Sequence, residues 1–486
     1  MTTEPTILTD SVAQSPRSSE PSALLMDEPP PLAAELLKRV KGQGTRYLAR
    51  APGRLDVMGG IAEYTGSLVL NWPVEGSLYV AVQGRSDRNV SITRCTYPAT
   101  DSADPNIVAL TRLREAAGSA DKLADYAHDE SWDTTTRIVV AVLVEMFRGG
   151  YLPQSFEGAS LVTGSTLNQS ADLGQVAALG AATIAALCRI AGTEIEPMDA
   201  ARLTQRVENH YFDMPCGIGD AVTALMGEPA CLTQLRCQPH ELNGTLRLPT
   251  GVVLVGIDCG LTAPDAAARY RRVRTTTYMG RTLIERIMAH EPAAGRIDWE
   301  GYLARLTMTD FVERFRDRLP TKMTGKDFLS RFGETGDPVT RIEPAIVYKI
   351  RSRTEHHVYE NARAIQFAER LGRSARTGDR RITVQAGLLM YASHWSYSQR
   401  CGLGSTASDR LVTSLRRRGP QAGILGAKIA GRACGGLVVV LMDDTPQAFS
   451  VVDDVRRQYE VDTGRTTSLL NGSSAGVIPA GVREIT

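Results

Sequence analysis

The chain has 486 residues with 55 basic and 54 acidic side chains, a net charge of +1 that offers no global field for nucleic acid or an acidic membrane surface. That length exceeds one ordinary hydrophobic core, so two domains and a tail are expected. None of the eight cysteines has a partner at the two-residue spacing of a zinc or redox site, no basic segment precedes an apolar core near the N-terminus, and apolar runs such as 437–442 are too short to cross a bilayer, which together imply a soluble cytoplasmic protein with reduced, partly buried thiols.

Residues 1–31 are rich in Ser, Thr and Pro and close on Pro29-Pro30-Pro31, so they carry too little apolar surface to offset ordering and are expected as a disordered tail. An amphipathic helix over 32–41 precedes a strand over 45–50, and a turn then feeds strands over 67–70 and 77–83. Helical spacing follows over 134–147 and again over 175–190, where small residues predict a tightly packed central helix. A buried strand at 252–258 lies just beyond a domain boundary placed near Pro249, and the Ala- and Arg-rich segment 266–274 comes next. Helices are expected over 282–289, 358–371 and 384–398, and then a Gly-rich stretch leads into a strand over 437–442. Arg416-Arg417-Arg418 reads as the solvated end of a helix stopped by Gly419-Pro420. No internal repeat is found. The resulting plan is a domain over 32–249, a second over 250–475 and a C-terminal tail over 476–486, with mixed α and β structure throughout.

Three segments carry chemistry. The first, Ala51-Pro52-Gly53-Arg54-Leu55-Asp56-Val57-Met58-Gly59-Gly60-Ile61-Ala62-Glu63-Tyr64-Thr65-Gly66, joins a glycine-permitted turn, one arginine and a short polar cluster. It resembles the first signature of the GHMP small-molecule kinases. In galactokinases that signature runs Pro-Gly-Arg, a few apolar residues, then Gly-Glu-His-Thr-Asp-Tyr; here Gly60-Ile61 replaces Glu-His and Glu63 replaces Asp. The plant-type L-arabinokinase form, Pro-Gly-Arg-Leu-Asp-Val-Met-Gly-Gly-Ile-Ala-Asp-Tyr, is nearer. The second segment, Val207 to Asp220, sets Glu208 and Asp220 either side of a turn forced by Pro215 and Gly217, so that one acid can face a metal and the other a substrate hydroxyl. It resembles the family pattern Glu-Asn-His followed by Pro-Cys-Gly-Ile. The third, Gly426-Ala427-Lys428-Ile429-Ala430-Gly431-Arg432-Ala433-Cys434-Gly435-Gly436, resembles Gly-Ala-Lys-Ile-Thr-Gly-Gly-Gly-Ser-Gly-Gly, with Arg432, Ala433 and Cys434 in place of Gly, Gly and Ser. Ser396-Tyr397-Ser398, Cys401 to Ser405 and Gly256 to Gly260 are also similar to that family.

The resemblance implies an α+β GHMP kinase fold, with an N-terminal domain like the second domain of ribosomal protein S5 and a C-terminal ferredoxin-like domain. It further implies an ATP- and Mg²⁺-dependent sugar 1-kinase. Arg54 and Asp220 are then catalytic; Gly60, Glu63, Tyr64, Cys216, Gly217 and Tyr270 bind the sugar; Glu208 and Ser170 hold Mg²⁺. The family's phosphate loop, Gly-Leu-Ser-Ser-Ser-Ala at a helix N-terminus, matches Gly164, Thr166, Leu167, Asn168, Gln169, Ser170 and Ala171, although only Ser170 keeps a serine and Asp172 adds a negative charge. Loss of the Glu-His pair favours a pentose, L-arabinose, over D-galactose, because the replaced Glu is the group that meets the C6 hydroxymethyl. Two alternatives stay open: a galactokinase with altered C6 recognition, and a non-catalytic sugar-binding or regulatory homologue. The implied partner is a free sugar, with neither nucleic acid nor membrane. No Walker-type, GxGxxG or HExxH segment offers a rival mechanism. His356, His357 and Glu360 have a spacing that mimics a metal site but read as a surface or interdomain helix.

Overall fold

The computed structural model describes residues 30–96, 104–119, 132–168, 172–212, 214–261, 263–290, 297, 300–432 and 434–485; the expected N-terminal tail lies almost wholly outside them. Two main sheets organise the chain. The first has eight strands: β1 (Gln43–Met58), β2 (Leu68–Gly84), β3 (Asn89–Arg94), β4 (Asn106–Ala109), β5 (Ala159–Ser165), β6 (Cys231–Cys237), β7 (His240–Arg247) and β14 (Arg483–Ile485). The second has four, β8 (Val252–Asp258), β11 (Ile424–Ala430), β12 (Leu437–Asp443) and β13 (Ser468–Leu470), ordered β11-β12-β8-β13 with every neighbour antiparallel. A small antiparallel pair of β9 (Met323–Thr324) and β10 (Val347–Tyr348) lies in the long connection between β8 and β11. With helix Ala266–Ala289 after β8 and helix Pro446–Thr463 after β12, the second sheet is the βαββαβ arrangement of a ferredoxin-like domain.

The first signature differs from its expected form. Pro52-Gly53 does not turn the chain; β1 runs straight through it for sixteen residues, with a register shift between Pro52 and Arg54. Proline has no N–H to give the ladder, and a bulge is where a strand tolerates that loss. The reversal comes later, at a 3₁₀ turn, Gly60–Thr65, flanked by Gly59 and Gly66 at φ 94° and 89°. The strands expected at 67–70 and 77–83 are one strand, β2, and the segments 266–274 and 282–289 are one helix, Ala266–Ala289. Each merger runs through the intervening segment, 71–76 or 275–281, which continues the strand or the helix instead of turning.

Helix Gln175–Ala191 is the central helix that its small residues predict, packed on β1, β2 and helix Gly219–Met226. One continuous core includes Leu55 and Val80 of the first sheet together with Leu254, Phe367, Leu437 and Val439 of the second half. The two halves are therefore held together by apolar burial as well as by the chain connection. Of the segment 476–486, expected as a tail outside both domains, residues 476–485 return to the first sheet: helix Val477–Ala480 leads into β14, which pairs antiparallel with β1 and covers its edge. Among the described residues no helix is long and apolar enough to cross a membrane, and all eight cysteines are buried thiols.

Candidate active site

β1 and the first turn of helix Gly219–Met226 bring Arg54 and Asp220 together. Arg54 donates from Nε to Asp220 Oδ1 at 2.6 Å and from Nη2 to Oδ2 at 2.8 Å, a bidentate fork with both side chains almost fully buried. Its remaining nitrogen, Nη1, donates to the Asp172 carbonyl at 2.7 Å, and its backbone N–H donates to the Leu173 carbonyl at 2.9 Å. Gly53 permits that approach, since a Cβ there would sit 2.8 Å from the Leu173 oxygen. Burial alone would weaken the Arg54 charge, but Asp220 and Asp172 outweigh it and keep the guanidinium ionised. Gly174, at φ 72°, caps helix Gln175–Ala191, and a Cβ on it would lie 3.4 Å from Asp220 Oδ2. The positive end of the central helix thus opens beside the pair.

Arg54 and Asp220 border one small cavity, together with Asp56, Gly60, Ile61, Glu63, Asn71, Tyr270, Tyr397 and Arg432. Gly60 has φ 44°, and a Cβ on it would lie 2.7 Å from Asp56 Oδ2 and 3.2 Å from the Tyr397 ring, so no side chain fits where galactokinases have Glu. Ile61 is buried and presents an apolar wall. Tyr270 is 2 % exposed, yet its hydroxyl has no hydrogen-bond partner among the described residues, an unmet demand facing the cavity. Glu63 accepts from the Gly217 N–H at 2.7 Å, and a Cβ at Gly217 would collide with its carboxylate. Burial, reinforced by the Asp220 charge, pushes the Glu63 carboxyl up to about 7. Lys428, wholly buried in β11, lies 3.5 Å from Asp56 Oδ2 and over the Tyr397 ring.

Other expected site residues lie elsewhere. The Tyr64 hydroxyl meets His357 Nε2 at 2.9 Å, and its ring packs among Tyr270, Tyr278 and Arg274 behind the cavity wall. Cys216 donates its thiol to Glu208 Oε2 at 3.2 Å and does not line the cavity. Gly164 belongs to β5 beneath helix Pro31–Arg39, where a Cβ would lie 2.8 Å from Leu32. Thr166 bonds Ser77 and Leu167 is buried under Gly53 and Gly76. Asn168 donates to Asp258 Oδ2 at 2.5 Å and to Ser468 Oγ at 3.2 Å, pinning the segment to the second sheet. Gln169, Ser170 and Ala171 lie outside the described residues. His356, His357 and Glu360, expected on a surface or interdomain helix, are fully buried in helix Ile350–Thr377, and burial holds His357 down to about 4. Ser396, Tyr64, Ser393 and Arg363 engage their polar atoms internally, except His356 Nε2, which has no hydrogen-bond partner among the described residues.

Glu208 is wholly buried, and its Oε1 has no hydrogen-bond partner among the described residues. Burial, with Asp220 adding to it and Arg432 opposing, pushes this carboxyl up to about 7. An orphaned carboxylate oxygen is what a hard divalent cation would seek. Here, however, Arg432 Nη2 already stands 3.7 Å from that oxygen, 3.1 Å from Asp220 Oδ2 and 3.6 Å from Asp172 Oδ1. Burial disfavours the Asp172 charge, but Arg432 and Arg54 hold its carboxyl below the usual carboxylate range. The arrangement does not fit a metal ion on Glu208, because a guanidinium fills the space between the carboxylates. Among the described residues no group of three or more His, Cys, Asp or Glu side chains is set to hold one.

Sequence reasoning passes over Asp56, Asn71 and Lys428 as cavity and support residues, although Asp56 and Lys428 stand inside the quoted signatures. The charge-bearing positions of those signatures are the signal that would have found them.

Two such sheets set an arginine–carboxylate fork at the positive end of a central helix, beside a small cavity. The GHMP kinases N terminal domain model matches residues 137–228, so that segment carries a GHMP kinase N-terminal domain. The chain is 31 % identical to the L-arabinokinase of Arabidopsis thaliana over 88 % of this chain and 46 % of that protein, so it spans about half that relative's length. It is 25 % identical to the galactokinase of Chloroflexus aggregans over 90 % of this chain and 95 % of that one. Among solved structures, the galactokinase of Lactococcus lactis complexed with galactose matches with a TM-score of 0.65 at 18 % identity, covering 90 % of this chain and 95 % of that chain. The Methanococcus jannaschii mevalonate kinase matches at 0.52 and 11 % identity over 89 % and 100 %. These structures share the fold.

Proposed function

We propose that this chain is an ATP-dependent sugar 1-kinase of the cytoplasm, acting on L-arabinose. The observation that carries the reading is the Arg54–Asp220 fork beside a cavity in which Gly60 can take no side chain and Ile61 is apolar. L-Arabinopyranose has the ring configuration of D-galactopyranose without C6, so a site lacking the hydroxymethyl-binding Glu loses nothing on it. The unpartnered Tyr270 hydroxyl and the Glu63 carboxylate supply polar groups for a sugar ring.

In this reading Asp220 is the proton acceptor. Its Oδ2 accepts from both Arg54 and Arg432, whereas Oδ1 accepts from Arg54 alone and keeps a lone pair for the proton of the anomeric hydroxyl. The anomeric oxygen bonds to the γ-phosphorus, the bond to the bridging oxygen of ADP breaks, and ADP departs. Arg54 and the N-terminus of helix Gln175–Ala191 oppose the charge on the phosphoryl oxygens. Mg²⁺ accompanies the nucleotide in this proposal, neutralising phosphate charge. Among the other expected site residues, Gly217 serves Glu63, while Cys216 and Tyr64 shape the surroundings.

A second reading, a non-catalytic sugar-binding homologue, is favoured by Asn168 being engaged with Asp258 and Ser468 and by the Asp172–Arg432 contact in the phosphate-loop region. ADP release measured against a panel of free sugars separates the two. Turnover supports the kinase; sugar-dependent thermal stabilisation without MgATP binding supports the sensor.

A further inference from the structure

The two charges by which this chain departs from the family's loops meet across the cleft. Arg432 stands in the turn between β11 and β12, where the third signature has glycine; Asp172 stands just before helix Gln175–Ala191. The Arg432 backbone N–H donates to Asp172 Oδ2, and its Nη2 reaches Asp172, Asp220 and Glu208 at once. With Arg54 on the far side of Asp220, two guanidinium groups already serve three carboxylates. A divalent ion at the orphaned Glu208 Oε1 would sit within a few ångströms of a buried cation, where water screens little. The buried Nε and Nη1 of Arg432 have no hydrogen-bond partner among the described residues and belong to a side chain that lines the cavity, so they are donors left for an anionic oxygen.

We infer that Arg432 takes the place a divalent cation would have on Glu208: a charge built into the chain faces Glu208, Asp220 and the phosphoryl group in transit, and the Asp172 contact locks the glycine-rich turn to the segment that opens the central helix. The inference rests on the kinase reading for the identity of the anion but not for the occupancy of Glu208. A metal ion then enters and leaves with the nucleotide's phosphates instead of residing on the protein.

Mn²⁺ binding to the full-length chain, followed by electron paramagnetic resonance without nucleotide or sugar, tests this. The parent chain should bind no Mn²⁺ at Glu208, Arg432→Lys should behave like it, and Arg432→Gly should gain a site about a hundredfold tighter than any in the parent, lost again when Glu208→Gln is added. A Mn²⁺ site in the parent that Glu208→Gln abolishes would overturn the inference even if Arg432→Gly fails to fold. So would a folded Arg432→Gly with no new site, or a site gained in Arg432→Lys. Because ATP and sugar are absent, an inactive protein leaves the result standing, and turnover does not rescue a failed one.

Discussion

Two buried arginine–aspartate forks lie among the described residues, and their difference separates scaffold from site. Arg274 donates to Asp337 from Nε at 2.9 Å and from Nη2 at 2.8 Å, much as Arg54 does to Asp220. Around Asp337, however, every demand is met: Thr340 and Val339 donate to its carboxylate, Arg274 Nη1 reaches the Pro215 carbonyl, and the guanidinium lies over the Tyr64 and Tyr278 rings. Around Asp220 the neighbours are a cavity, an unpartnered Tyr270 hydroxyl, an orphaned Glu208 oxygen and two unused nitrogens of Arg432. The fork itself does not mark function; unmet polar demand beside it does.

The largest effect that can break this contrast is on stability. Asp337→Ala leaves Arg274 buried without its partner and should cost about 3–5 kcal/mol in chemical denaturation. A loss no greater than that of a surface substitution would remove the scaffold half of the comparison. Asp220→Asn should act on catalysis as well, lowering kcat by about 10²-fold or more in the folded protein, beyond any stability lost with the charge that balances Arg54 and Arg432. Near-native kcat would place the proton acceptor elsewhere.

A pH series sharpens the same contrast. Glu63 has its carboxyl raised to about 7 in the folded chain, so its protonated form is the one the fold favours. That contribution is fully present below the unfolded value of about 4.5 and is lost as pH rises through about 7, on the order of 3 kcal/mol. Glu63→Gln should abolish the loss, so its stability relative to the parent should rise across that window and level off above it. Parallel profiles for the two proteins would contradict the assignment. The smallest effect is on selectivity: Ile61→Ala opens space at the cavity wall and should shift the kcat/KM ratio towards D-galactose by about tenfold. An unchanged ratio would move the discrimination away from Ile61.

The sequence carried the fold class well because the signatures and the apolar periods of 175–190, 252–258 and 437–442 agree with one another. It also placed Arg54, Gly60, Glu63, Asp220 and Tyr270, which the structure gathers at one cavity. Tyr64 and Cys216 escape it because a motif names neighbours along the chain, whereas lining a cavity depends on which way each side chain leaves the backbone. Tyr64 turns to His357 from a helix almost 300 positions later, and no local pattern reports such a meeting. The Pro52-Gly53 turn failed for a related reason, since a bulge absorbs the proline that would otherwise end a strand. Arg432 was visible as a departure from glycine, but its three carboxylate neighbours were not, because Asp172, Glu208 and Asp220 reach it from separate elements.

The most direct test of the central claim is ADP release by the purified full-length chain with MgATP and L-arabinose, with the product examined by ³¹P and ¹H NMR. ADP and L-arabinose 1-phosphate are expected in equal amounts, with D-galactose turned over more slowly. No ADP from any free sugar, or turnover of D-galactose equal to or better than that of L-arabinose, would contradict it.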